Sequence, residues 1–138
     1  MTFVLDTGPL VAALNQQDPD HKNCADLLAG GEDILLPSSI LPEADYWLVR
    51  LAGVGVWADF VHDVADGAYR LIHPDQNDIE RAAELQITYA DLRLGYVDAS
   101  IVAMCEHRGE TRVATLDRRH FSVVRPRHCR YLTLLPGT

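Results

Sequence analysis

Lysine is nearly absent from this chain: Lys22 is the only one among twelve basic residues, and the other eleven are arginines. No apolar run approaches the roughly 20 residues of a membrane-spanning helix, so no membrane partner is expected. No basic stretch precedes an apolar one at the N-terminus, and Asp6 interrupts the first apolar run, so a secretory leader is not expected either. Cys24, Cys105 and Cys129 are far apart and form no CxxC pair. That argues against a disulfide framework and a zinc knuckle, and predicts reduced, partly buried thiols in a cytoplasmic protein. Repeats, low-complexity stretches and linkers are also missing. The 138 residues, 48% of them hydrophobic, therefore read as one domain spanning 1–138. A chain of that size buries roughly two-thirds of its unfolded surface.

The net charge of −8 hides an asymmetry. Residues 1–110 hold 19 acidic and 6 basic side chains, a body near −13; residues 111–138 hold 1 and 6, a tail near +5. An acidic body repels phosphate and makes a poor non-specific nucleic-acid binder. It acts on nucleic acid only if cations neutralise an acidic cleft. The tail arginines, Arg118, Arg119, Arg125, Arg127 and Arg130, either guide phosphate toward such a cleft or pair with the acidic body.

Thr2–Leu5 is a short apolar run of β-formers, followed at once by Asp6 and then by Thr7-Gly8-Pro9, which suits the start of a helix continuing through Leu10–Leu14. Further strands are expected at Ile34–Leu36, Tyr69–Ile72, Arg112–Leu116 and Tyr131–Leu135. Helices are expected at His21–Ala29 with Asp20 as cap, from Ser38 or Ser39 through Leu51 with Glu43 in its second turn, at Val56–Ala65, from about Asn77 to Ala90, and at Val97–His107. Leu92–Gly95 reads as a loop and Arg118–Phe121 as a turn. Strands alternating with helices predict an α/β domain: a mostly parallel sheet with helices on both faces and right-handed crossovers.

Three carboxylates fall where this pattern predicts burial. Asp6 ends the first strand, Asp98 opens the most apolar helix, and Asp117 follows the strand at Arg112–Leu116; Glu43 lies in an otherwise apolar helix segment. Each has a plain explanation alone: Asp6 and Asp98 as helix caps, Asp117 as a turn residue, Glu43 as a solvated helix residue. Together they would converge on the carboxyl edge of a parallel sheet, where ligands bind in such folds. Ionised carboxylates gathered there need either arginine partners or a metal ion, and an all-oxygen set suits a hard divalent cation.

LDTGPLVAAL at 5–14, PSSILPEADYWL at 37–48, LGYVDASIVA at 94–103 and VATLDRRHF at 113–121 together resemble the PIN-domain ribonucleases, most closely the VapC toxin group of type II toxin–antitoxin pairs. The resemblance spans nearly the whole chain. It implies a PIN fold and a Mg²⁺- or Mn²⁺-dependent endoribonuclease, with Asp6, Glu43, Asp98 and Asp117 as the acidic quartet. Asp6 and Asp98 would be the chief ligands, with Thr7 or Thr115 supplying a supporting hydroxyl. It also implies transfer RNA or a large-subunit ribosomal RNA loop as target, a homodimer, and inhibition by a VapB-type antitoxin that alone contacts operator DNA. No histidine is needed as base, so the six histidines are expected to be structural, with His120 the one closest to the chemistry. Trp47 and Trp57 are expected in the core or a dimer interface, and the helices around Trp47–Val64 at an antitoxin or dimer contact. Two rivals remain. A haloacid-dehalogenase-type phosphatase lacks its DxDx[TV] signature here, because Asp6 is followed by Thr7-Gly8-Pro9. A catalytically inactive PIN-like binding module would leave the quartet incomplete or scattered.

Overall fold

A computed structural model describes residues 1–137. Its five strands are β1 (Thr2–Leu5), β2 (Asp33–Pro37), β3 (Arg70–Ile72), β4 (Arg112–Ala114) and β5 (Thr133–Leu135). They form one sheet in the order β3-β2-β1-β4-β5, with every neighbouring pair parallel. The central strand β1 buries Phe3, Val4 and Leu5 completely. Successive residues of a strand face opposite sides, so three in a row without exposure means that both faces are covered. Strand β2 shows the same through Ile34, Leu35 and Leu36.

Among the described residues seven α-helices accompany the sheet: α1 (Thr7–Leu14), α2 (His21–Leu28), α3 (Leu41–Ala52), α4 (Val54–Ala65), α5 (Gln76–Thr88), α6 (Tyr96–Arg108) and α7 (Arg118–Val123). The apolar helix expected near Val97 is α6, and every residue from Ala99 to Cys105 is buried. Burial on all sides is what a helix without a polar face requires. Its Arg81-bearing neighbour α5 packs along it.

Some expectations need correction. Ser38–Ile40 forms a separate 3-10 turn, and α3 begins only at Leu41, so Glu43 lies in the first turn rather than the second. Pro42 explains this: lacking an N–H, it is accommodated in a first turn and not further in. Helix α4 starts at Val54, two residues early, because Gly53 takes φ 99°, a backbone that lets two helices meet at a tight corner. Asp20 stands at the cap position of α2 but makes no side-chain capping bond. Strand β4 stops at Ala114, not Leu116, and the expected turn at Arg118–Phe121 is the body of α7. That helix has six residues, too few to show a period.

The strand order places the sheet's switch point at β1 and β4: the chain leaves β1 toward β2 and β3, then returns to the other side as β4 and β5. The crevice at the carboxyl ends of those two strands is the natural ligand site of such a sheet.

Candidate metal centre

Asp6 follows β1 directly, and its N–H bonds Ala114 of β4 at 2.9 Å, which ties it to the crevice. One carboxylate oxygen accepts from Thr7 N at 2.8 Å, capping α1; the other accepts from the Thr115 hydroxyl at 2.8 Å. The capping explanation and the site explanation both apply, because the two oxygens do different jobs. Asp6 is 6% exposed. Burial first, then the nearby charges of Asp98 and Glu43, push its pKa up to about 6, against the opposing hydrogen bonds from Thr115 and Thr7.

Glu43 reaches the same place from α3, where its Oε1 accepts from the Thr7 hydroxyl at 2.8 Å. It is exposed, unlike Asp6. Asp98 stands in the first turn of α6, but Gly95 holds the cap position, so capping does not account for it. Its Oδ2 lies 2.8 Å from His120 Nδ1. Burial raises the Asp98 pKa, the charges of Asp117 and Glu43 add to the rise, and His120 opposes it.

Asp117 caps α7 by accepting from His120 N at 3.3 Å, and its other oxygen sits 3.0 Å from His120 Nδ1. Its own N–H donates to the Thr115 hydroxyl at 3.0 Å. Thr115 thus donates to Asp6 and accepts from Asp117, and it is fully buried. Both threonines named from the sequence hold carboxylates in place. Gly8 lets this corner close: a Cβ there would come within 3.3 Å of Leu116 Cβ.

The four carboxylates line one cleft of about 390 Å³ together with Trp47, Leu51 and Leu116. Asp18, within the loop between α1 and α2, lines it too. Sequence reasoning passed over Asp18 because a loop residue carries no period. Trp47 is 47% exposed and lies at this cleft rather than in the core, whereas Trp57 packs on Phe60.

Neutralisation by arginine is not what the geometry shows. Among the described residues lining the cleft there is no lysine or arginine. Arg118 donates instead to the Pro136 carbonyl, and Arg119 is exposed. The tail divides further on: Arg127 pairs with Glu84 at 3.1 Å, and Arg125 bonds the Ser122 carbonyl. A set of oxygen donors whose neighbouring charges push up the pKa of Asp6 and of Asp98, with no lysine or arginine among the described residues of the lining, fits a divalent cation. Asp98, Asp117 and His120 offer three ligand atoms within 4.8 Å of one another.

A second such group lies at the other end of α6, where Asp75, Asp78 and His107 come together. Asp75 accepts from Asp78 N at 2.8 Å and Asp78 accepts from Asp75 N at 3.0 Å, the reciprocal capping box of α5. The remaining Asp78 oxygen lies 3.0 Å from His107 Nδ1.

The PIN domain family model matches residues 3–125. The chain is 31% identical over 135 residues to Ribonuclease VapC26 of Mycobacterium tuberculosis, covering 97% of this chain and 100% of that protein. Among solved structures, the fold resembles Mycobacterium tuberculosis VapC20, a Sarcin-Ricin loop cleaving toxin, with a TM-score of 0.74 and 20% identity over 80% of this chain and 86% of that one. It also resembles VapBC2 from Rickettsia felis bound to a DNA fragment from its promoter, with a TM-score of 0.67 and 20% identity over 97% of each chain.

Proposed function

The chain belongs to the PIN-domain family, on its VapC branch, and from that membership we propose that it is a metal-dependent endoribonuclease, the toxin of a type II toxin–antitoxin pair. The observation that carries the reading is the convergence of Asp6, Glu43, Asp98 and Asp117 on one open cleft whose lining has no cationic side chain among the described residues. An inactive binding module has no use for four carboxylates held so close, and their clustering counts against it.

In this reading Asp6 and Asp98 hold Mg²⁺ or Mn²⁺, with Glu43 and Asp117 completing the site. A bound ion supplies a more acidic water and stabilises negative charge on the reacting phosphate. The chain's own part is arrangement. Thr7 turns Glu43 toward the cleft, Thr115 holds Asp6, and the α7 cap fixes Asp117. The reaction is hydrolysis: a water oxygen bonds phosphorus, the bond to one flanking nucleoside oxygen breaks, and that oxygen takes up a proton. Arg119, exposed next to Asp117, is the tail arginine best placed to meet RNA phosphate; Arg118 has one nitrogen committed to Pro136.

The target is a structured RNA, either transfer RNA or a large-subunit ribosomal RNA loop. The partner is a VapB-type antitoxin, which carries the contact with operator DNA, and the toxin itself is a homodimer acting in the cytoplasm. Exposed Tyr46, Val49, Leu51 and Val54 on α3 and α4 form the apolar surface that supports such contacts.

The test is cleavage of total cellular RNA by the purified protein with and without Mn²⁺, with Asp6→Ala as control. Discrete fragments that need metal and vanish in the variant support the nuclease, and their ends name the target. Metal-independent fragments, or fragments that survive in Asp6→Ala, overturn it.

A further inference from the structure

The imidazole of His120 stands inside the acidic centre, although the chemistry proposed above gives it no task. Its Nδ1 is 2.8 Å from Asp98 Oδ2 and 3.0 Å from Asp117 Oδ2. Those two oxygens come from different elements, α6 and the cap of α7, yet both face one nitrogen. That nitrogen can carry one proton, which serves one oxygen well and leaves the second underserved. Neighbouring donor atoms on an octahedral ion with bonds of roughly 2.1 Å stand about 3.0 Å apart. The two spacings from the imidazole nitrogen match those of neighbouring donors to one ion, and the three atoms lie within 4.8 Å of one another.

The ring is also held by the fold. The backbone N–H of His120 donates to Asp117 Oδ1, so the residue that caps α7 positions its own co-donor. The side chains of His120 and Asp98 are only 20% and 18% exposed. Water therefore competes little for these two groups, whereas Asp117 is 41% exposed.

We propose that His120 Nδ1 is a ligand of the metal ion, shared with Asp98 and Asp117, so that the centre is a mixed oxygen–nitrogen site. The proposal rests on the metal-dependent reading above and sharpens it. With its proton on Nε2, a neutral imidazole presents a lone pair at Nδ1. An imidazole nitrogen adds little for Mg²⁺, which prefers oxygen, and more for Mn²⁺ and Co²⁺. The centre should accordingly prefer the transition metals.

The decisive measurement needs no RNA. Mn²⁺ is added to the purified protein, and pulsed electron paramagnetic resonance reads whether a nitrogen is bound to it. Wild type should show nitrogen modulation, and His120→Asn should lose it. The asparagine amide keeps an N–H donor near the two carboxylates, so a hydrogen-bonding role survives this variant and a ligand role does not. Titration calorimetry should show Mn²⁺ affinity falling at least about tenfold in His120→Asn and His120→Ala, with Mg²⁺ affinity changed much less. If wild type binds Mn²⁺, Asp98→Asn abolishes that binding, and no nitrogen modulation is seen, His120 is not a ligand while the metal centre stands. Modulation that persists in His120→Asn rejects His120 in the same way. If Mn²⁺ does not bind, or binds unchanged in Asp98→Asn, the metal centre itself is rejected and the ligand assignment with it. Absence of nitrogen modulation in metal-loaded wild type rejects the ligand assignment even if a variant fails to fold.

Discussion

Helix α6 carries a similar set of side chains at each end, and the two sets behave differently. In its first turn Asp98 meets Asp117 and His120; in its last turn His107 meets Asp75 and Asp78. Both groups hold two aspartates around one imidazole nitrogen. At the far end each aspartate spends one oxygen on a backbone N–H of the α5 cap. The leftover oxygens face His107, and the adjoining cavity of about 430 Å³ is also lined by Arg81, Glu106 and Arg127. Arg81 and Glu106 bond each other at 2.8 Å, so charge there is matched locally. At the near end Asp6 and Glu43 add two more carboxylates, and the cleft lining has no lysine or arginine among the described residues. Donor type and spacing therefore do not by themselves mark a metal centre. What separates the two ends is arginine: Arg81 and Arg127 line the far cavity, and none lines the near cleft among the described residues.

The largest expected effect separates the two ends outright. Asp98→Asn should lower RNA cleavage by about a thousandfold or more, since a lost metal is worth several kcal/mol in the transition state. Asp78→Asn should leave cleavage within about twofold. An RNA assay on both variants checks this, and loss of cleavage in a folded Asp78→Asn would erase the distinction.

Next comes pH. The Asp6 carboxyl has its pKa raised to about 6 in the folded protein. The folded state therefore holds that proton more tightly than the unfolded state does. Stability of metal-free protein should fall as pH rises from about 4 to about 6, by at most about 3 kcal/mol. Asp98, raised as well, adds to the same slope. Urea melts in a chelator across this window should show the fall, and Asp6→Asn should flatten it. A stability that rises through the window would contradict the uncompensated charge.

Metal should then restore what repulsion removes. At a hundredfold excess over its dissociation constant, Mn²⁺ should stabilise wild type by about 2.7 kcal/mol. The gain should vanish in Asp98→Asn and persist in Asp78→Asn, as read by thermal melts. A smaller effect belongs to the far end: Asp75→Ala should cost about 1 kcal/mol by removing the α5 cap, without touching metal binding. Smallest is the arginine tail. Arg119→Gln should reduce the salt slope of RNA binding by about 1, whereas Arg127→Gln, whose guanidinium already pairs with Glu84, should leave it unchanged.

Much of this architecture was legible in the sequence because local signals are strong where elements are buried. Thr2–Leu5 was read without error, and the uninterrupted apolar stretch inside α6 announced a helix covered on all sides. The four acidic positions were legible for a related reason: each stands at or near the end of an element, where polarity breaks the pattern. Other features were not readable. Helix α7 is too short to show a period, and β4 stops early so that Thr115 can bond Asp6. His120 stood out among the histidines by its place beside Asp117, but nothing local reveals that the residue three places after Asp117 faces a helix 22 positions back. The arginine tail looked uniform, yet Arg118 turns to Pro136 and Arg127 to Glu84.

The sequence by itself determined the element types, the central strand, and which carboxylates stand at element ends, because strand alternation, helix period and capping act over a few residues. Only the tertiary structure decided that Asp6, Glu43, Asp98 and Asp117 share one cleft, that no arginine among the described residues enters its lining, and that His120 stands between two of them. Those outcomes depend on the strand order β3-β2-β1-β4-β5, which brings Ala114 beside Leu5 and so carries Thr115 and Asp117 to Asp6. A partnership across more than a hundred residues is set by packing of the whole core, and no local stretch of sequence encodes it.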